Sequence, residues 1–183
     1  SGFDAENWTL LNDSGEFLWF SERDDWGHLY LGDLASGELT RQITEGSWAV
    51  LQVLEVDEAA REVTFLGSNR EAGDPYFHYL YRVALDGGEP QLLTPEMAHH
   101  QLSLAPSNAF IFDTYSTPTA PPTSVLRNRQ GEIVMTLAQT STDSLVAAGW
   151  VAPEPFVTKA RDGLTDIHGL LYKPSNFNAS LSY

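Results

Sequence analysis

The sequence predicts an all-β fold: a partial β-propeller of about three four-stranded antiparallel blades, followed by a C-terminal β-hairpin. Two observations predict it. Apolar or alternating segments of strand length follow one another along the chain, with turn residues between them. Three hairpin glycines, Gly37, Gly88 and Gly131, are each followed by glutamate and a last strand, at spacings of 51 and 43 residues. A four-strand unit that repeats at this period is typical of propeller blades.

Residues 17–46 define the repeating unit. Residues 17–21 are apolar and aromatic, residues 28–34 alternate between two faces, and residues 38–44 place polar side chains outward. A charged turn and a small-residue hairpin turn join these three strands. A short apolar strand at residues 7–11 precedes them and brings the unit to four strands. Because such a meander cannot bury both of its faces alone, it requires neighbouring sheets of the same kind.

The following units repeat this order of strands and turns. A two-sheet sandwich also contains many short strands, but it has no reason to repeat its turn residues, so the propeller is favoured. The unequal spacing reflects a long polar loop at residues 68–76, in a position where blades accept insertions. The three blades are expected at about residues 7–46, 47–94 and 98–138.

The pattern breaks after residue 138. Residues 139–155 lack strand alternation and contain prolines near their end, so a linker is expected there, with room for a short helix. Residues 156–161 and 168–173 are two further strands around Asp162-Gly163, which indicates a hairpin. The expected organisation is therefore a propeller part over residues 1–138, the linker, and a separate unit over residues 156–183.

The composition argues against several classes of partner. The chain has 183 residues, of which 25 are acidic and 10 are basic, and its net charge is −15. Nucleic acids and anionic membrane surfaces would repel this charge, so neither is expected to bind. The chain contains no cysteine, which excludes disulfides. No apolar run approaches the roughly 18 residues that a membrane-spanning helix requires.

No catalytic machinery is expected within the chain. The G-x-S-x-G turn, which exposes a nucleophilic serine beside a base and oxyanion donors, does not occur in it. Without this turn no serine hydroxyl has an activated position, and acyl transfer by this chain is not expected. We therefore expect no catalytic, cofactor-binding or metal-binding residue here, and no cofactor.

Two polar pairs resemble metal ligands without the required geometry. His99 and His100 are adjacent on a strand, so their side chains point to opposite faces and do not easily chelate one ion. One core histidine and one channel-facing histidine are expected instead. Asp24 and Asp25 lack the D-x-D-x-D-G spacing of a calcium loop. A solvated turn in which these carboxylates pair with Arg23 is expected.

Aromatic side chains and long loops are the remaining candidates for ligand contact. Aromatic residues at strand spacing are expected to pack between blades rather than to form a sugar-binding platform. The loops at residues 68–76 and 116–122 are best placed to reach a ligand, although plain surface connections are the favoured interpretation. The aromatic residues concerned are Trp19, Trp26, Trp48 and Tyr30.

Two segments carry a family resemblance. The pattern S-E-R-D-x-W-x-H-L-Y-L, followed by R-Q-I-T-x-G-x-W-x-V, lies within residues 21–50. It resembles a late blade of the propeller domain of dipeptidyl peptidase IV and its bacterial relatives, in the prolyl oligopeptidase superfamily. The segment KARDGLTDIHGLLYKPSNF resembles the hairpin that begins the α/β-hydrolase domain in that family. Tyr183 falls where the tyrosine of the family's Lys-Tyr-Pro segment stands, so the resemblance covers most of the chain.

The resemblance implies a fragment of a serine exopeptidase that removes N-terminal dipeptides, often after proline. The propeller part would wall and gate the active-site cavity without being catalytic. The family's catalytic residues would lie beyond Tyr183 and its paired substrate-binding glutamates before Ser1, so none is carried over to this chain. The resemblance also implies a peptide substrate and an extracytoplasmic or periplasmic location. Open blade faces predict self-association of the fragment.

Two alternatives remain open at this point. The first is the propeller of another peptidase of the superfamily, either an endopeptidase or an acylaminoacyl peptidase. The second is a non-catalytic propeller that binds protein or carbohydrate.

Overall fold

The computed structural model describes residues 8–180. Asn7, the first residue expected in the first blade, and Tyr183 lie outside the described residues. The described chain contains fourteen strands and one short helix. In chain order these are β1 Trp8–Leu11, β2 Glu16–Ser21, β3 His28–Asp33, β4 Leu39–Gln42, β5 Ala49–Asp57, β6 Glu62–Ser68, β7 His78–Ala84, β8 Gln91–Leu92, β9 His99–Leu104, β10 Phe110–Thr117, β11 Ala120–Asn128, β12 Ile133–Gln139, α1 Asp143–Ala147, β13 Glu154–Lys159 and β14 Asp166–Leu171.

The first twelve strands form three four-stranded antiparallel sheets, each a meander in chain order. Sheet 1 contains β1 to β4, sheet 2 contains β5 to β8, and sheet 3 contains β9 to β12, while β13 and β14 form a separate hairpin. The three hairpin glycines all have positive φ, at +72° for Gly37, +120° for Gly88 and +87° for Gly131. The expected fold class is confirmed: the chain is a partial propeller followed by a hairpin.

The hydrophobic core lies between successive sheets. A large cluster fills the space between sheets 1 and 2, and a smaller cluster lies between sheets 2 and 3. Alternate residues along a strand of sheet 2 belong to different clusters, because neighbouring side chains on a strand point to opposite faces. Thus Tyr79 and Tyr81 of β7 belong to the first cluster, and Leu80 between them belongs to the second.

A buried threonine recurs in the same place in sheets 1 and 2. Thr44 follows β4, and its hydroxyl oxygen accepts a hydrogen bond from the backbone N–H of Leu29 at 3.0 Å. Thr94 follows β8 and accepts one from the backbone N–H of Leu80 at 2.8 Å. Both threonines are buried, with at most 1% of their surface exposed. Each threonine lies just after the fourth strand of its sheet and accepts a hydrogen bond from a backbone N–H group of the third strand.

The loop expected at residues 116–122 is shorter in the structure, because both flanking strands extend into it. β10 ends at Thr117 and β11 begins at Ala120. The Thr117 hydroxyl accepts hydrogen bonds from the backbone N–H groups of Thr119 and Ala120, which closes the reversal within a few residues. The threonine turn and a bulge at Tyr115/Thr117 together form this shorter connection.

The C-terminal hairpin is present, with strands two residues earlier than expected. Asp162 explains the position of its turn: its carboxylate accepts hydrogen bonds from the backbone N–H groups of Leu164 and Thr165. The five-residue helix α1 lies in the expected linker. No helix within residues 8–180 has the length and apolar character needed to cross a bilayer.

The outer faces of sheets 1 and 3 remain apolar and open. On sheet 1, Trp8 and Leu10 point away from sheet 2 and are 45% and 41% exposed, whereas Leu11 between sheets is 1% exposed. On sheet 3, Phe110 and Phe112 are 43% and 44% exposed. Such end faces would normally pack against further sheets of the same kind.

We expect the isolated chain of 183 residues to self-associate at micromolar concentration through these end faces. Sedimentation velocity should detect dimers or larger species because association removes exposed aromatic surface from water. Phe112→Lys should shift the distribution towards monomer. Gln130→Lys introduces the same charge in the exposed β11–β12 turn and should leave the distribution unchanged. A concentration-independent monomer for the unmodified chain would contradict the expectation.

Candidate functional site

A buried ionic cluster lies in sheet 3. Arg127 on β11 is 1% exposed, and its guanidinium donates hydrogen bonds to three oxygens. It reaches Asp113 Oδ2 at 2.9 Å, Glu96 Oε2 at 2.6 Å and the Gly131 carbonyl at 2.9 Å. His100 Nδ1 lies 3.0 Å from both oxygens of Asp113. Its Nε2 donates to the Glu96 carbonyl oxygen at 3.0 Å.

This cluster is also where three metal-ligand types come closest together. Ligand atoms of Glu96, His100 and Asp113 all lie within 4.8 Å of one another. The guanidinium of Arg127 already forms an ion pair with each of the two carboxylates. A cation added beside it would meet electrostatic repulsion in a buried site, where such repulsion is poorly screened. The arrangement is therefore an internal ion-pair network whose ligand atoms are already engaged.

A cavity of about 590 Å³ lies where four separate parts of the chain meet, and we call it the loop cavity. The β6–β7 loop, the start of β9, the β10–β11 turn and the hairpin strand β14 line it. Both loops that the sequence singled out for ligand contact thus contribute to one space. The lining residues are Asp74, Tyr76, Phe77, His99, Ser116, Thr117, Pro118, His168, Gly169 and Leu170.

Ring contacts orient the histidines of the loop cavity. The His99 ring lies 4.4 Å from that of His78 at an interplanar angle of 51°, and the His168 ring meets Tyr76 edge-on at 6.4 Å. Burial lowers the pKa of His78, and the neighbouring His99 lowers it further. His100, the adjacent residue, belongs to the buried ionic cluster instead. The two neighbouring histidines therefore have different surroundings, one in a cavity and one in the core.

The other sequence candidates do not assemble into a site. Asp24 accepts a hydrogen bond from the Tyr30 hydroxyl at 2.5 Å, which contributes with burial to raising the pKa of Tyr30 to about 12. Asp25 is exposed in the turn. The expected pairing with Arg23 is wrong: its guanidinium lies over the Tyr30 ring at 4.8 Å and its Nε donates to Ser21.

The four aromatic candidates also lie in different places and do not form one site. Trp48 is 6% exposed and stacks on Phe65 of sheet 2 at 6.1 Å, so it packs between sheets. Trp19 contacts the edge of Phe17 on the open face of sheet 1. Tyr30 is buried, whereas Trp26 is half-buried beside the β2–β3 turn. These positions provide no common platform for a sugar ring.

A second, larger cavity between sheets 1 and 2 is polar, with a volume of about 1000 Å³. Arg70 lies in it over the rings of Trp48 and Tyr81, at 5.7 and 5.4 Å. Its guanidinium also pairs with Glu71 and Glu89. Arg70 is thus held on all sides by groups of the chain itself, and its charge is already neutralised.

Sequence reasoning missed Arg127, Asp113 and His168 as residues of either site. The first two are 14 positions apart and meet only because β10 and β11 pair. A charged residue at a strand position that should be buried was the available signal for them. His168 offered no such signal, because nothing local predicts that the hairpin lies against the loops of sheets 2 and 3.

Three stacked meander sheets, with a hairpin against loops at one edge, define the chain as part of a β-propeller. A family model described as the dipeptidyl peptidase IV (DPP IV) N-terminal region matches residues 4–122. The chain belongs to this family.

Two solved structures resemble the chain over nearly its whole length. One is dipeptidyl peptidase 4 of Porphyromonas gingivalis, with 22% identity and a TM-score of 0.74, covering 94% of this chain. The other is a protein of Bacteroides ovatus provisionally assigned as a dipeptidyl aminopeptidase IV, with 25% identity and a TM-score of 0.74, covering 95% of this chain. The chain spans only 24% and 27% of the lengths of these two proteins.

Proposed function

We propose that this chain is the scaffold and gate of a serine exopeptidase of the dipeptidyl peptidase IV type. Its three sheets form the last blades of the propeller, over residues 1–138, and wall the cavity through which peptides reach the active site. Residues 139–155 link them to the start of an α/β-hydrolase domain at residues 156–183. The chain itself carries no chemistry.

The family match over residues 4–122 is the observation that carries this proposal. Two features of the structure support it. After the linker that contains α1, the hairpin contacts the β6–β7 rim loop of sheet 2 through the rings of His168 and Tyr76. The loop cavity lies at this contact, and interfaces between domains are common places for ligand cavities.

The absence of a nucleophile elbow supports the division of labour. The chain contains no G-x-S-x-G sequence, so the nucleophile must come from another part of the parent enzyme. In such an arrangement the propeller acts by restricting which peptides enter. This role needs a rigid wall, which the stacked sheets and their buried network provide.

We expect the parent enzyme to release Gly-Pro from a Gly-Pro chromogenic amide, and residues 1–183 alone to give no turnover. The physical reason is that the isolated chain has no activated nucleophile. Initial rates at equal molar concentration compare the two proteins, with the N-acetylated amide as a control for the free amino terminus.

Each other result has a defined meaning. Turnover by residues 1–183 alone would overturn the scaffold role. Cleavage of the acetylated substrate, or of internal peptide bonds, would favour an acylaminoacyl peptidase or an endopeptidase. A parent protein without any peptidase activity would favour a binding propeller.

A further inference from the structure

We propose that the loop cavity binds an extended, proline-containing peptide segment of neutral or basic character. This inference rests on the proposed function, in which the segment is the part of the peptide substrate that follows the cleaved bond. A peptidase that releases dipeptides leaves only two residues before that bond, and these must lie against the catalytic machinery. We assign the loop cavity to the residues after that bond.

The walls of the loop cavity suit proline and similar flat apolar groups. The aromatic rings of Tyr76 and Phe77, together with Pro118 and Leu170, supply apolar surface. Tyr76 is 67% exposed, so most of its ring is accessible to a ligand in the cavity. Aromatic-lined grooves bind proline-rich segments because the extended backbone is preformed and loses little entropy on binding.

Polar groups of the cavity suit the backbone of such a segment. Within residues 8–180, the ring nitrogens of His99 and His168 have no hydrogen-bond partner in the structure, although ring contacts hold both side chains in place. An imidazole can donate and accept hydrogen bonds. An extended proline-containing peptide presents backbone carbonyls that no internal hydrogen bond satisfies. The two histidines are therefore oriented groups that can bind those carbonyls.

The charge of the cavity selects against acidic ligands. Asp74 lines it and forms no ion pair within 4.0 Å among the described residues, and the chain as a whole carries a charge of −15. A lysine or arginine in the bound segment would pair with Asp74, whereas an acidic residue would be repelled. A metal ion does not fit as the occupant, since within residues 8–180 only the buried ionic cluster brings three ligand atoms within 4.8 Å.

The kinetic test uses the parent enzyme and a pair of matched tyrosine variants. Tyr76→Ser removes an aromatic ring from the cavity, and Tyr172→Ser removes an equally exposed ring, 70% against 67%, that does not line it. Initial rates are measured on Gly-Pro-p-nitroanilide and on the hexapeptide Gly-Pro-Ala-Pro-Lys-Ala. Tyr76→Ser should lower kcat/KM for the hexapeptide about five- to tenfold more than it lowers kcat/KM for the short amide. Tyr172→Ser should change neither.

A binding test separates this inference from the proposed function. The capped peptide Ac-Ala-Pro-Lys-Pro-NH2 is titrated into the 183-residue chain and into the parent protein and followed by NMR. Saturable shifts of the His99 and His168 ring signals, at least fivefold weaker with Ac-Ala-Pro-Glu-Pro-NH2, support the site even if no peptidase activity is found. Absence of saturation at millimolar peptide, equal binding of both peptides, or equal effects of the two tyrosine variants would overturn it.

Discussion

Replacing Arg127 by methionine should lower the free energy of unfolding by about 3–5 kcal/mol, because it leaves the buried carboxylate of Asp113 without its cation. Asp113 is fully buried, and the Arg127 guanidinium is its closest positive charge, at 2.9 Å. The cost is that of an uncompensated charge in the interior rather than of three separate hydrogen bonds. Urea unfolding followed by tryptophan fluorescence measures it.

Arg129→Met is the matched control for this change. Arg129 lies two residues further along the chain and also pairs with three carboxylates, those of Glu55, Asp57 and Glu62. Its side chain is 25% exposed, against 1% for Arg127, so water can solvate the carboxylates it leaves behind. We expect a loss of only about 1 kcal/mol. Equal losses for the two variants would contradict the role assigned to burial.

A double variant keeps the prediction testable if Arg127→Met fails to fold. Asp113→Asn combined with Arg127→Met removes both charges and leaves an amide whose N–H group can donate a hydrogen bond to His100 Nδ1. The double variant should be more stable than Arg127→Met alone, since groups in one network are not additive. A double variant less stable than the single one would show that the ion pair is not the source of the loss.

Substituting Gly131 by alanine should destabilise the chain by about 2–4 kcal/mol, more than the same change at the other hairpin glycines. A Cβ at Gly131 would overlap the Leu93 carbonyl oxygen and lie 2.9 Å from the Leu93 carbonyl carbon and Cα. These are backbone atoms of the neighbouring sheet, so relief requires sheets 2 and 3 to move apart. The positive φ of +87° adds the usual penalty for a side chain in that region.

Gly37→Ala separates the steric overlap with a neighbouring sheet from the conformational penalty of a positive φ. Gly37 has a similar φ of +72°, but a Cβ there would have nothing within 4 Å. Its substitution should cost only about 1 kcal/mol, the conformational penalty alone. Thermal or urea unfolding of both variants gives the difference between them. A difference of zero would mean that the contact between Gly131 and Leu93 is not close in solution.

Most strands and turns of this protein could be predicted from its sequence. Alternation of apolar and polar positions predicts which face of a strand is buried, and glycine predicts where the chain reverses, because both depend on local geometry. The expected strand at residues 28–34 coincides with β3 to within one residue, and the strands of the expected hairpin differ from the observed ones by two residues. The errors occur where a side chain decides the turn, at Thr117 and Asp162.

The candidate site was only half predictable. The loops at residues 68–76 and 116–122 were singled out, but not the single cavity that both of them line. Its formation depends on how sheet 3 packs on sheet 2 and on where the hairpin lies. Neither leaves a periodic signal in the chain, since packing between sheets is set by shape and volume rather than by spacing.

By itself the sequence determined the class of fold, the number of sheets and the positions of their turns, because strand period and turn chemistry act over a few residues. Only the tertiary structure decided which residues that look alike in the sequence have different surroundings. Gly37 and Gly131 look the same in the chain, yet only Gly131 touches a neighbouring sheet. Arg127 and Arg129 look alike as well, yet burial makes one of them the partner of an inaccessible carboxylate. Such differences arise from contacts between distant segments, which exist only once the sheets are stacked.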